Sequence, residues 1–114
     1  MKAYQNNSLS FNEQCYQLLL KIPKGRVTTY KSIALALDCK AYQAVGNAMN
    51  QNPTPIIVPC HRVVNSDGRL GGFALGIEKK IELLNAEGVE VESINEAHKR
   101  IKNFKTCFFD VSQL

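Results

Sequence analysis

The amino-acid sequence predicts a mainly α-helical single domain with a small β wing, a winged-helix-like arrangement of helix-turn-helix plus hairpin. Three observations lead there. Apolar residues recur at helical spacing in four stretches, two of the short ones are joined by a tight turn around Asp38-Cys39-Lys40, and VV-NSDG-RL carries Asp67-Gly68 between apolar pairs, a hairpin signature. At 114 residues the chain suits one core rather than two. The expected organisation is an N-terminal segment 1–9, the domain proper at 10–91, and a tail at 92–114 packed on or extending it.

Each element has its own reason. In SFNEQCYQLLLKI, Ser10 and Glu13 form a capping-box pair, and Phe11, Cys15, Leu18, Leu19 and Ile22 share one helical face. Pro23-Lys24-Gly25 stops that helix. Thr28 or Thr29 can cap the next, YKSIALAL, with Ile33, Ala34 and Leu37 inward. The third, AYQAVGNAMNQ, is nearly bare on much of its surface, because Ala41, Ala44, Gly46 and Ala48 carry little side chain. Gly46 costs helix stability, so either tight packing or a closely approaching ligand such as DNA accounts for it. NPTPIIVP, with Pro53, Pro55 and Pro59, should be extended and stiff and deliver Cys60 rigidly. The last clear helix, IEKKIELLNAEG, should bury Ile77, Ile81 and Leu84 and close at Gly88. The tail cations Lys99, Arg100, Lys102 and Lys105 form either a solvated face or an auxiliary phosphate contact, the former being the preferred reading.

Composition excludes several classes. With 45% hydrophobic and 21% charged residues the chain should fold. No apolar run approaches membrane-spanning length and the start MKAYQNNSLS is not a signal peptide, so a cytoplasmic protein is expected, or a nuclear one in a eukaryote. Cys15, Cys39, Cys60 and Cys107 lack CxxC spacing, which points to reduced thiols without a metal. A net charge of +4 suits a polyanion partner without requiring one.

The chemistry concentrates at Cys60-His61. A free thiol has a pKa of about 8.5, so little thiolate exists at neutral pH unless a base takes its proton. An adjacent imidazole can do so directly or through one water, and Glu87, just before Gly88, is a candidate to orient that imidazole. Neighbours on an extended segment point to opposite faces, so adjacency alone is weak evidence.

The string NP-x-P-IIVPCHRVV-x-S-x-G-x-LGGF closely resembles the active-site signature of the O6-alkylguanine-DNA alkyltransferases, or methylated-DNA-protein-cysteine methyltransferases. The resemblance extends through IPKGRVTTYKSIA, AVGNAMNQNP and GIEKKIELLNAEGV, roughly residues 11 to 89. It implies the active-site domain alone, probing duplex DNA from the minor-groove side and rotating an O6-alkylated guanine into a pocket, as a monomer without cofactor. Residue by residue, it implies Cys60 as alkyl acceptor, His61 as its base through water, and Glu87 as the orienter of His61. Asn52 would tie the network to the turn, and the Tyr30 hydroxyl would donate to guanine N3. The N–H of Ala74 would face O6, the carbonyls of Cys60 and Val63 the exocyclic amine, and Met49, Pro55 and Phe73 would belong to the pocket. Ala41, Tyr42, Gln43, Ala44 and Gly46, with Thr29, fall at the DNA. Arg62 reads as structural. The thioether product is not readily hydrolysed, so one molecule would be consumed per lesion.

Two positions depart from the family pattern, and a third changes more mildly. Gln43 stands where an intercalating arginine is usual, and Tyr42 where the family keeps a small residue; Phe73 replaces a common tyrosine. Three rivals remain: an alkyltransferase-like lesion sensor, which typically lacks the cysteine that this chain keeps; a winged-helix regulator, for which AYQAVGNAM offers few base-reading side chains; and a cysteine hydrolase, which PCHRV does not resemble.

Overall fold

The computed structural model describes residues 9–114; most of the N-terminal segment 1–9 lies outside the described residues. The first helix, α1 (Phe11–Leu19), starts at Ser10, whose hydroxyl accepts from Glu13 N–H while the Glu13 carboxylate accepts from Ser10 N–H. Regular α geometry ends at Leu19 rather than at Ile22, because the following N–H groups of Lys21 and Ile22 bond three residues back, to Leu18 and Leu19.

Strand β1 (Thr28–Thr29) runs directly into α2 (Tyr30–Ala36). Thr29 is the cap: its side chain accepts from Ser32 N–H at 3.0 Å. After a turn with Asp38 in left-handed geometry, α3 (Tyr42–Asn50) completes the helix-turn-helix. A single 3-10 turn, Cys60–Arg62, leads into β2 (Val63–Val64). Then come α4 (Ile77–Ala86), β3 (Val91–Ser93), β4 (Lys99–Ile101), α5 (Phe104–Cys107) and a last 3-10 turn at Val111–Gln113.

The expected hairpin at 63–70 is corrected. Val63 and Val64 are both fully buried, and β2 pairs parallel with β1, Thr28 opposite Val63 and Thr29 opposite Val64. A strand covered on both sides cannot serve as a wing with one wet face. The turn itself survives: Gly68 N–H bonds Asn65 O, Asn65 N–H bonds Arg69 O, both at 2.9 Å, and Gly68 takes the positive φ that its turn demands. The antiparallel wing is built instead by β3 and β4, in the tail. Leu70 N–H to Lys99 O and Ile101 N–H to Gly68 O tie that wing to the outgoing arm of the turn.

Strand β2 divides two cores. Val63 faces the helical cluster that holds Leu18, Ile33, Val45, Met49 and Cys60, while Val64 faces Val27, Leu70, Leu84, Val89 and Ile101. This follows from the two-residue alternation of a strand. The tail is stitched on by Val27 N–H to Cys107 O, Phe109 N–H to Val27 O, and the Arg26 guanidinium on the carbonyls of Cys107 and Phe108. Its cations mostly meet the hairpin's own groups: Arg100 with Glu92, Lys102 with Glu90, Lys99 with Ser93 Oγ.

Burial on α4 also differs from expectation. Ile77 is 42% exposed, and Lys80 is fully buried beside Leu84. The explanation lies in the acceptors around Lys80 Nζ: the carbonyls of Val63, Leu70 and Gly72. A buried ammonium with three hydrogen bonds is compensated as few lysines are. Around Gly46, an added Cβ would meet nothing within 4 Å, so tight helix packing does not account for that glycine.

Among the described residues no helix is long and apolar enough to cross a membrane, and no group of three or more His, Cys, Asp or Glu is gathered as metal ligands.

Candidate active site

The turn that carries Cys60 is not extended as expected. Cys60 N–H bonds Val58 O at 2.8 Å and Arg62 N–H bonds Pro59 O at 3.0 Å, winding Cys60–Arg62 into one 3-10 turn. Successive side chains on such a turn diverge by about 120 degrees, so Cys60 points into the helical core while His61 points toward the end of α4. Ahead of it, Asn52 holds the Thr54–Val58 turn from inside: its amide donates to Val58 O at 2.8 Å and its carbonyl accepts from Thr54 N–H at 3.0 Å. That turn forces Ile56 to a φ of 80°, a costly conformation for a β-branched residue that persists because its surroundings impose it.

Helix α4 ends in a Schellman motif, with Val89 N–H on Leu84 O and Gly88 N–H on Asn85 O, and Gly88 in left-handed geometry. The motif places Glu87 at the helix end facing the 60–62 turn. His61 Nε2 lies 3.1 Å from Glu87 Oε2. Arg62 grips the same carboxylate with Nε on Oε1 at 2.8 Å and Nη2 on Oε2 at 2.6 Å, and donates a third bond to Ile22 O. Such a two-pronged contact fixes the plane of the carboxylate as well as its position. Arg62 therefore belongs to the site through Glu87.

His61 is fully buried, and its Nδ1 has no hydrogen-bond partner among the described residues. Phe73 covers the ring edge-on, centroids 6.4 Å apart. Burial holds the His61 pKa below the usual histidine range, with Glu87 pulling the other way, so the imidazole is neutral at pH 7 and can accept a proton. Burial acts to raise Glu87, but the hydrogen bonds of Arg62 and His61 and the Arg62 charge outweigh it and keep the carboxylate ionised. Burial pushes the Cys60 thiol up, opposed by the Asn52 side chain and the Lys80 charge. The resting thiol is thus protonated, with a proton acceptor next in the chain.

Tyr30 starts α2, and its hydroxyl lies 3.3 Å from where a Cβ on Gly71 would stand. Tyr30, Met49, Phe73 and Cys60 pack in one cluster. Pro55 is half-buried in the strained turn. Ala74 is exposed and its N–H is unbonded among the described residues. The Cys60 carbonyl accepts from Val63 N–H and the Val63 carbonyl from Lys80. On the outer side, Ala41, Tyr42 and Gln43 are exposed, with Ala44 and Gly46 half-exposed. Thr29 is buried as a cap. A cleft of about 510 Å³ is lined by Tyr30, Lys31, Tyr42, Asn65, Ser66 and Asp67. The structure thus gathers Cys60, His61, Glu87, Asn52 and Tyr30 around the 60–62 turn, with Met49 of α3 packed in the same cluster, while Ala41, Gln43, Ala44 and Gly46 lie toward solvent and Tyr42 shares the cleft with Tyr30.

Lys80 escaped the sequence reading, although it sits at the i+3 place of an apolar stripe that runs through Ile77, Ile81 and Leu84.

A helix-turn-helix domain built around a buried thiol, imidazole and carboxylate is a defined class of protein. Residues 10–89 match the family described as 6-O-methylguanine DNA methyltransferase, DNA binding domain, and the chain belongs to that family. The methylated-DNA--protein-cysteine methyltransferase of Thermococcus gammatolerans is 51% identical over 81 residues, 70% of this chain and 45% of that protein. A bifunctional methyltransferase/endonuclease of Picrophilus torridus is 41% identical over 106 residues, 92% of this chain and 35% of that protein. The chain spans about half or less of these curated relatives. Among solved structures, S. pombe Atl1 in complex with damaged DNA containing O6-carboxymethylguanine superposes with a TM-score of 0.75 at 29% identity, covering 87% of this chain and 94% of Atl1.

Proposed function

We propose that this chain removes the alkyl group from O6-alkylguanine in double-stranded DNA and attaches it irreversibly to Cys60. The observation that carries this reading is His61, next in the chain to the acceptor thiol, buried and neutral, with Nε2 held by Glu87 and Nδ1 free of a hydrogen-bond partner among the described residues. In the proposed step the thiol proton passes to His61 Nδ1 through one water, and Glu87 stabilises the imidazolium. The S–C bond forms as the C–O6 bond breaks, and the electron pair passes to the base. Ala74 N–H at O6 and the Tyr30 hydroxyl at N3 stabilise that charge. Asn52 keeps the turn that presents the thiol, the carbonyls of Cys60 and Val63 receive the exocyclic amine, and Met49, Pro55 and Phe73 line the pocket.

Cys60 is only 3% exposed, so a base stacked in a duplex cannot reach it without flipping. The small residues Ala41, Ala44 and Gly46 of α3 supply the surface that approaches the minor groove, with Tyr42 and Gln43 alongside; Thr29, expected there from the sequence, is buried as the cap of α2. Residues 10–91 form the working domain in this reading, and 92–114 brace it. The reading places the protein with the DNA, in a prokaryotic cytoplasm or a eukaryotic nucleus.

A lesion-sensing role without transfer is the second reading, favoured by the match to nearly the whole length of Atl1. Mass spectrometry after incubation with O6-methylguanine DNA separates the two. A gain of one methyl group, mapped to the peptide containing Cys60 and lost in Cys60→Ala, supports transfer; an unmodified Cys60 with the lesion bound and intact supports sensing.

A further inference from the structure

Helix α4 carries a fully buried cation that the proposed chemistry does not use. Lys80 Nζ donates to Val63 O at 2.8 Å, to Leu70 O, and to Gly72 O at 3.1 Å. All three acceptors belong to the stretch that leaves the nucleophile's turn and returns past Tyr30 to Phe73. An ammonium has three donors, and here each has its acceptor, so Lys80 has no proton bond to spare for a substrate. Its neighbours on the same stretch are held from outside as well, since Leu70 N–H bonds Lys99 O. Gly71, between two of the clamped carbonyls, takes a φ of 68° and passes close to the Tyr30 hydroxyl. A chain so rich in glycine has little stiffness of its own.

We propose that Lys80 is a positioning residue of the alkyl-transfer site, its ammonium clamping the carbonyls of Val63, Leu70 and Gly72 so that the 63–73 segment stands as the wall of the base pocket. The proposal rests on the transfer reading. Through Val63 the clamp sets the carbonyl that receives the guanine amine, and through Gly72 it sets the approach to Phe73 and Ala74. Neutralising the amine leaves two donors for three carbonyls and turns a lone pair toward one of them. Burial pushes Lys80 down to about 8, and the thiolate form of Cys60 acts against that shift. The other titratable groups at the site are Tyr30 on α2, His61 and Arg62 on the 3-10 turn, and Glu87 at the end of α4.

The sign of the linkage separates positioning from mere stability. Above pH 8, up to the ordinary lysine range near 10.5, the unfolded chain holds the Lys80 proton more tightly than the folded one, so this group makes the fold more stable as pH rises. A falling transfer rate in that window cannot then come from unfolding driven by Lys80.

The test is single-turnover transfer at saturating O6-methylguanine DNA from pH 6 to 10, with Tm measured alongside, for the parent, Lys80→Met and Lys80→Gln. The parent should show an alkaline fall in rate without a matching fall in Tm. Lys80→Met should lose at least about tenfold in maximal rate and lose the alkaline fall, with Lys80→Gln, which keeps neutral donors, intermediate. If Lys80→Met does not fold, the parent profile and Lys80→Gln decide. A parental rate in either folded variant, or a parent rate that climbs through pH 10, overturns the proposal alone. A parent that transfers nothing at any pH overturns the transfer reading as well.

Discussion

His61 Nε2 and Glu87 Oε2 meet at 3.1 Å across 26 positions of sequence, with Arg62 gripping both oxygens of the same carboxylate. The pair joins the Cys60–Arg62 turn to the C-terminus of α4, so in the proposed transfer the base, His61, depends on how that helix ends.

Glu87→Gln should therefore slow alkyl transfer by about a hundredfold, because the imidazolium loses its counter-charge and its tautomer is no longer set. It also leaves Arg62 half-buried without its carboxylate. Tm should fall, and single-turnover kinetics beside thermal melting check both effects.

Acid should act on the same cluster in two stages. The His61 pKa is depressed, so the unfolded chain binds that proton first, and stability begins to fall as pH drops below about 6.5. Glu87 is also depressed; its contribution is complete above the ordinary carboxylate range near 4.5 and is lost as pH falls through its lower folded value. Transfer should keep its neutral-pH base to below pH 6.5. Urea melts at stepped pH, on the parent and Glu87→Gln, should show the lower stage missing in the variant.

Gly46→Ala distinguishes an intrinsic from a ligand-driven reason for a helical glycine. Since an added Cβ meets nothing within 4 Å, alanine should stabilise the free protein by about 1 kcal/mol. DNA affinity should fall at the same time, because the methyl group stands where the groove approaches. Denaturant melts and fluorescence anisotropy measure the two effects, and unchanged affinity would remove α3 from the interface.

Tyr42, 44% exposed, lines the cleft beside Tyr30, whereas the neighbouring Gln43 lacks the charge and planar fork of the usual arginine. If Tyr42 wedges into the duplex, Tyr42→Ala should slow repair of duplex selectively, and Gln43→Arg should restore or raise it. Single-stranded substrate should be repaired equally by all three proteins. Equal effects on both substrates, or none, would exclude the wedge.

Binding should weaken steeply with salt and depend little on flanking sequence, as expected where phosphates supply most of the affinity. A filter-binding titration with a strong preference for one undamaged sequence would favour the regulator reading.

By itself the sequence determined the local elements and the family. Ser10 and Glu13 specify a helix start through bonds within four residues, Gly88 specifies a helix end, and PCHRV marks the turn that carries Cys60, all by short-range chemistry. Tertiary structure decided what pairs with what. Val63-Val64 was free to form a hairpin with its own turn until burial on both faces matched it to Thr28-Thr29, leaving the wing to β3 and β4. Only the folded chain shows Arg62 gripping Glu87, and Lys80 inside the protein rather than on it. A lysine on an apolar stripe normally faces water; this one is buried because three carbonyls, between 8 and 17 residues away, converge where its ammonium lies, and no local pattern encodes that convergence.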